Sequence, residues 1–185
     1  MNKIIVAALL ATAAAGASAQ AYVSGAVGVG RTNLDCNGVA NCDKTGTAFK
    51  LVGGYGFGNN LSAELGYLSF GKAKASDATG SIDIKSAGIA LGLAYRIPAS
   101  QAVDFTVRGG IISMKTKLSG RSGNLSGSVS DTNVAPYVGV GVGYALTPAI
   151  KLDAGLDLSR SKFDKNGLNE KGNVQAFTVG ATFAF

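Results

Sequence analysis

From Gln20 onward apolar residues alternate with small or polar ones at every second position, the spacing of strands whose two faces meet unlike surroundings. Between Thr47 and Phe57 one face carries Phe49, Leu51, Tyr55 and Phe57, and the other Ala48, Lys50, Val52, Gly54 and Gly56. Ala87 to Ile97 sets Ile89, Leu91, Leu93 and Tyr95 against Gly88, Ala90, Gly92, Ala94 and Arg96. Val103 to Ile111, Val134 to Leu146, Ile150 to Leu158 and Phe177 to Phe185 divide in the same way. Two weaker stretches, Ala21 to Gly30 and Leu61 to Phe70, bring the predicted strands to eight. In the second, Leu68 and Phe70 fall on the polar face, so a β-bulge is expected there. Short connections lie at Gly58-Asn59-Asn60, Pro98 to Ala102 and Thr147-Pro148-Ala149. Long polar ones lie at Thr32 to Gly46, Gly71 to Ser81, Lys115 to Asp131 and Ser161 to Asn173. Strands joined by short and long connections in turn describe an all-β, eight-stranded antiparallel up-and-down barrel.

Alternation alone does not say which face of a barrel is inside, since soluble and membrane barrels both have one apolar face. The other face decides it. It is dominated by Gly and Ala, which suit the narrow interior of an eight-stranded barrel better than a water-facing exterior. On the apolar face Phe57, Tyr95, Phe105, Tyr144, Phe183 and Phe185 gather toward the short turns, and Phe49, Tyr67 and Phe177 toward the long connections. At the rise and tilt of a barrel strand, Phe49 to Phe57 or Phe177 to Phe185 spans roughly 20 Å along the membrane normal. Two aromatic girdles at bilayer spacing predict a transmembrane barrel with its short turns in the periplasm. A soluble periplasmic ligand-binding barrel is the competing reading.

The N-terminal segment agrees with export. Lys3, the apolar run Ile4 to Ala15 and Ala17-Ser18-Ala19 read as a signal peptide over residues 1–19, leaving the barrel as 20–185. Cys36 and Cys42, the only cysteines, sit in a polar stretch, and a disulfide closing this small loop is expected in an oxidising compartment. The chain has 185 residues, of which 15% are charged, and it has no histidine. That excludes imidazole acid–base catalysis and Ser-His or Cys-His nucleophiles. Two thiols make a poor metal site, so no cofactor or metal is expected. Asp153 and Asp157 lie about 13 Å apart on one strand face, too far for a glycosidase pair. No enzymatic activity is expected.

Eight charged residues fall on the inward face: Lys50, Arg96, Arg108 and Lys151 against Glu64, Asp104, Asp153 and Asp157. Pairing Ile97 with Val103 across the short turn would put Arg96 opposite Asp104. Confined charges must be paired, so a salt-bridged network filling the barrel is expected. The alternative is a charged constriction lining a narrow pore.

The hairpin Gly143-Tyr144-Ala145-Leu146-Thr147-Pro148-Ala149-Ile150-Lys151-Leu152-Asp153-Ala154-Gly155 and the apolar alternation through Phe177, Val179, Phe183 and Phe185 carry a resemblance across the mature chain. The sequence resembles the small outer-membrane barrels of the OmpA, opacity and neisserial-surface-protein-A type. The final strand is similar to the signal read by the bacterial outer-membrane assembly machinery. The resemblance implies a monomeric outer-membrane protein of a Gram-negative bacterium, structural or adhesive, with loops for host or other extracellular ligands; a narrow porin-like channel is the second expectation. No peptidoglycan-binding domain follows Phe185, so wall tethering is not expected.

The net charge of +6 can then be located. Lys3 leaves with the signal peptide, the eight inward residues cancel, and the remaining basic excess lies in the long connections or beside them. Lys115, Lys117 and Arg121, with Arg160, Lys162, Lys165 and Lys171, are expected to face lipopolysaccharide phosphates. A nucleic-acid partner is not expected.

Overall fold

A computed structural model describes residues 20–33, 41–77, 80–122, 125–165 and 168–185. The predicted signal peptide lies outside the described residues, as do Cys36 and the side chain of Cys42, and with them the predicted disulfide. The strands are β1 (Ala21–Thr32), β2 (Asn41–Asp43), β3 (Thr45–Gly58), β4 (Leu61–Asp77), β5 (Gly80–Pro98), β6 (Val103–Ser122), β7 (Leu125–Ala145), β8 (Ile150–Lys165) and β9 (Leu168–Ala184). Eight of them close a ring, β1-β3-β4-β5-β6-β7-β8-β9 and back to β1, every neighbour antiparallel. The three-residue β2 pairs only with the upper part of β4. No helix occurs among the described residues.

The short turns follow from their residues. Asn59 and Asn60 take positive φ (52° and 63°) between the paired Gly58 and Leu61, the two-residue hairpin geometry that asparagine tolerates. At the β7–β8 turn the Thr147 hydroxyl accepts from the Ile150 amide at 3.0 Å. The long connections differ from expectation. Most of Gly71 to Ser81 and Lys115 to Asp131, and the described backbone from Ser161 to Asn173, are strand. β6 and β7 reach 20 and 21 residues, about twice what a bilayer requires. Polarity in these stretches marks where the wall leaves the membrane, not where the ladder ends.

Outside, Val27, Leu51, Leu65, Ile89, Leu91 and Val140 are each more than half exposed, an apolar belt that only a lipid environment solvates favourably. Phe57, Tyr95, Phe105, Tyr144, Phe183 and Phe185 are exposed below it, and Phe49, Tyr67 and Phe177 above. Inside, the expected bulge is present but displaced. It falls between Ser69 and Lys72, around Gly71 at φ 87°; Leu68, below it, and Phe70, within it, are both buried. With Ile112, Met114 and Val174, all buried, they form an apolar layer across the upper barrel. Burying each large side chain of this kind contributes about 1.5–3 kcal/mol.

Candidate functional site

Below that layer the interior is charged. Lys50 Nζ donates to Asp157 Oδ2 at 2.6 Å, and Tyr137 Oη donates to Asp157 Oδ1 at 2.8 Å, with Asp157 1% exposed. Arg108 Nε forks onto Glu64 at 3.0 and 3.2 Å, and Tyr22 Oη donates to Glu64 Oε1 at 2.6 Å. Lys151 pairs with Asp104, and Thr182 Oγ1 donates to Asp153 at 2.5 Å. All eight charged residues named from the sequence thus line the interior, on five different strands.

The predicted register of the β5–β6 hairpin is corrected by two residues. Ile97 pairs with Phe105 and Pro98 with Asp104, because the turn closes tightly on Ala99 and Ser100, whose amides both donate to the Val103 carbonyl. Arg96 therefore stands opposite Thr106, reaches Asp104 only at 3.8 Å, and stacks over the Tyr22 ring at 5.7 Å. Interior glycines make room for the charges. A Cβ on Gly139 would come 2.5 Å from Asp157 Oδ1, and one on Gly143 would come 2.5 Å from Lys151 Cδ. Among the described residues no three His, Cys, Asp or Glu side chains gather as a metal site.

The basic residues divide between two places. Lys115, Lys117 and Arg121 are exposed on the outer face of β6. Cross-strand pairing brings Lys85 beside Lys117, and Lys72 beside Lys85, so three lysines stand in one row across β4, β5 and β6. Asp83 holds Lys72 at 2.7 Å; no carboxylate lies within 4.0 Å of Lys85 or Lys117 among the described residues. Like charges directly opposite repel, so such a row is suited to an external anion. Lys72 and Lys85 escaped the sequence reading because they fell in, or next to, a connection taken for a loop. The period-two spacing of Lys72 and Lys74, matched by Lys115 and Lys117, was the available signal.

Arg160 is exposed at the top of β8, on the far side of the barrel. The backbones of Lys162 and Lys171 pair across β8 and β9, and Lys165 pairs with Leu168; these lysine side chains are outside the described residues. Phe177, Val179 and Phe183 project outward from β9, and Phe185 donates its amide to the Ala21 carbonyl at the lower rim.

Residues 4–185 match the profile of the Outer membrane protein beta-barrel domain. A comparison with curated protein sequences finds no match. Among solved structures, Neisserial surface protein A aligns with a TM-score of 0.63 at 20% identity, over 92% of this chain and 99% of that one. The attachment invasion locus protein Ail of Yersinia pestis aligns at 0.58 and 20%, over 90% and 99%; Ail has also been solved in complex with the heparin analogue sucrose octasulfate. OprG from Pseudomonas aeruginosa aligns at 0.54 and 14%, over 90% and 95%. These likenesses show a common fold.

Proposed function

The chain belongs to the outer membrane protein β-barrel domain family and resides in the bacterial outer membrane, and on that premise we propose that it is a closed, non-enzymatic barrel that works through its outer wall. The observation that carries this reading is the interior apolar layer. Phe70 is 1% exposed and Ile112 and Met114 are 0% exposed, so packed apolar side chains fill the lumen at this level and a permeating ion would have to displace them. Beneath it the buried charges are engaged with one another or with Tyr and Thr hydroxyls. A lumen closed twice, by packing and by ion pairs, favours display over conduction.

The displayed surface is the basic wall. The row Lys72, Lys85 and Lys117 stands two outward positions above the lipid-facing Ile89, toward the depth of phosphorylated headgroups. Lipopolysaccharide phosphate is the proposed partner, and the complex of Ail with a sulfated heparin analogue is consistent with a small barrel holding a polyanion. The outward apolar residues of β9, Phe177, Val179 and Phe183, are the proposed assembly signal.

Planar-bilayer recording of the purified protein tests the closed lumen. A silent bilayer is expected. Reproducible single-channel steps that disappear when Arg108 or Lys50 is neutralised would overturn the reading in favour of a narrow channel.

A further inference from the structure

The barrel wall is not continuous above the girdle. The β7–β8 ladder ends at the pair Tyr137 and Ser159, although β7 continues up with β6 to Leu125 and β8 with β9 to Lys165. The next residue of β7 is Pro136, which has no N–H to give to a following rung. Its carbonyl accepts instead from the Ser159 hydroxyl at 2.9 Å, which caps the ladder. Where the strands part, a cavity of about 410 Å³ opens, within the size range of small-ligand pockets.

The walls of this notch are the lipid-facing Pro136, Val138 and Leu158; Val174, 1% exposed, forms its floor, and Arg160 and Gln175 stand at its rim. Leu158 pairs with Gln175 one rung above the girdle contact of Leu156 with Phe177. The notch therefore sits at the boundary between acyl chains and headgroups. It is apolar toward the membrane core and polar toward the surface, where Asn33 and Asn173 supply amides and Arg160 the one cation of the lining, an arrangement that matches one end of a phosphorylated lipid.

We propose that this notch is a lipid site: an acyl chain of an outer-leaflet phosphorylated lipid lies against Pro136, Val138 and Leu158, with its phosphate at Arg160. The Ser159 cap makes the opening a fixed feature of the wall. The site goes beyond the closed-lumen reading and stands whether or not the barrel conducts, because it opens sideways and not along the axis.

The test uses the mature chain in phosphatidylcholine nanodiscs carrying bisphosphorylated lipid A or its dephosphorylated form, with closure checked by the heat-dependent mobility of the barrel on a gel. Lipid A retained after transfer to detergent is counted by mass spectrometry. One lipid per chain is expected. Val138→Trp, which fills the notch, should reduce retention by about tenfold or more. Val140→Trp, one rung lower on the same face and outside the notch, should leave it unchanged. Arg160→Gln should weaken retention of the bisphosphorylated form by about fivefold, the weight of one cation beside an anionic headgroup, and leave the dephosphorylated form unaffected. Equal retention by Val138→Trp and the parent, equal loss in both tryptophan variants, or displacement of the lipid by free pyrophosphate would each overturn the site.

Discussion

Asp157 offers the sharpest test of the interior. It is 1% exposed and its partner Lys50 is 7% exposed, and its carboxylate receives two hydrogen bonds, from Lys50 at 2.6 Å and from Tyr137 at 2.8 Å. Asp157→Asn keeps the volume and one acceptor but leaves the ammonium of Lys50 buried without its counter-charge. Removing one partner of a buried pair costs about 3–5 kcal/mol. For a chain of this size each kcal/mol lowers the midpoint by about 2–4 °C, so a fall of roughly 6–20 °C is expected. Replacing both partners, Lys50→Met with Asp157→Asn, removes the stranded charge and should recover most of the loss. The midpoint is read as the temperature at which the compact gel band converts to the unfolded one, and urea titration in lipid vesicles gives the free energy directly. A loss of less than about 1 kcal/mol in Asp157→Asn, or a double variant that falls as far as the summed singles, would refute an energetically coupled buried pair.

Three further outcomes are expected. Gly139→Ala would place a methyl 2.5 Å from Asp157 Oδ1, so urea midpoints should report a loss of about 1–3 kcal/mol; Gly53→Ala, where nothing lies within 4 Å, should stay within about 0.5 kcal/mol. Lys72, Lys85 and Lys117 replaced together by Gln should weaken binding to lipid A vesicles at low salt and flatten its salt dependence, while the thermal midpoint does not fall, since the row is self-repelling. Asp43, at the outer end of the barrel, accepts from the Thr45 amide at 3.0 Å and from its hydroxyl at 2.8 Å, and these bonds hold its carboxyl below the usual range. The turn is therefore intact above the ordinary Asp value of about 3.9 and is lost as pH falls through the lowered one, so the Thr45 amide NMR signal should titrate with a midpoint below about 3.9.

Much of the architecture was legible because a barrel in lipid writes itself as a period of two. Phe49, Leu51, Tyr55 and Phe57 could point only one way once Lys50 and Gly54 pointed the other. The inward charges were readable for the same reason. What they bond to was not, because partners such as Lys50 and Asp157, or Arg108 and Glu64, belong to strands whose relative stagger is set by closure of the whole ring. The apolar layer was missed at Leu68 and Phe70, where an apolar residue on a polar face looked like a slip in register. A filled lumen needs some such residues, and a period argument cannot tell them from a bulge. The lysine row was hidden because Lys72 and Lys85 come together only when β4 and β5 continue pairing above the membrane.

Ring closure also bears on how the molecule can be made. The seam between β1 and β9 joins Tyr22 to Ala184 and Thr32 to Val174, so its rungs link the first and last strands of the ring. Until that seam forms, two strands would present unpaired amides and carbonyls, which hydrocarbon does not tolerate. No portion of the ring can therefore settle in the bilayer ahead of the rest by its own stability. Closure of the seam and burial of the backbone in hydrocarbon are thus coupled, and a ring without its β1–β9 rungs should not persist in the bilayer.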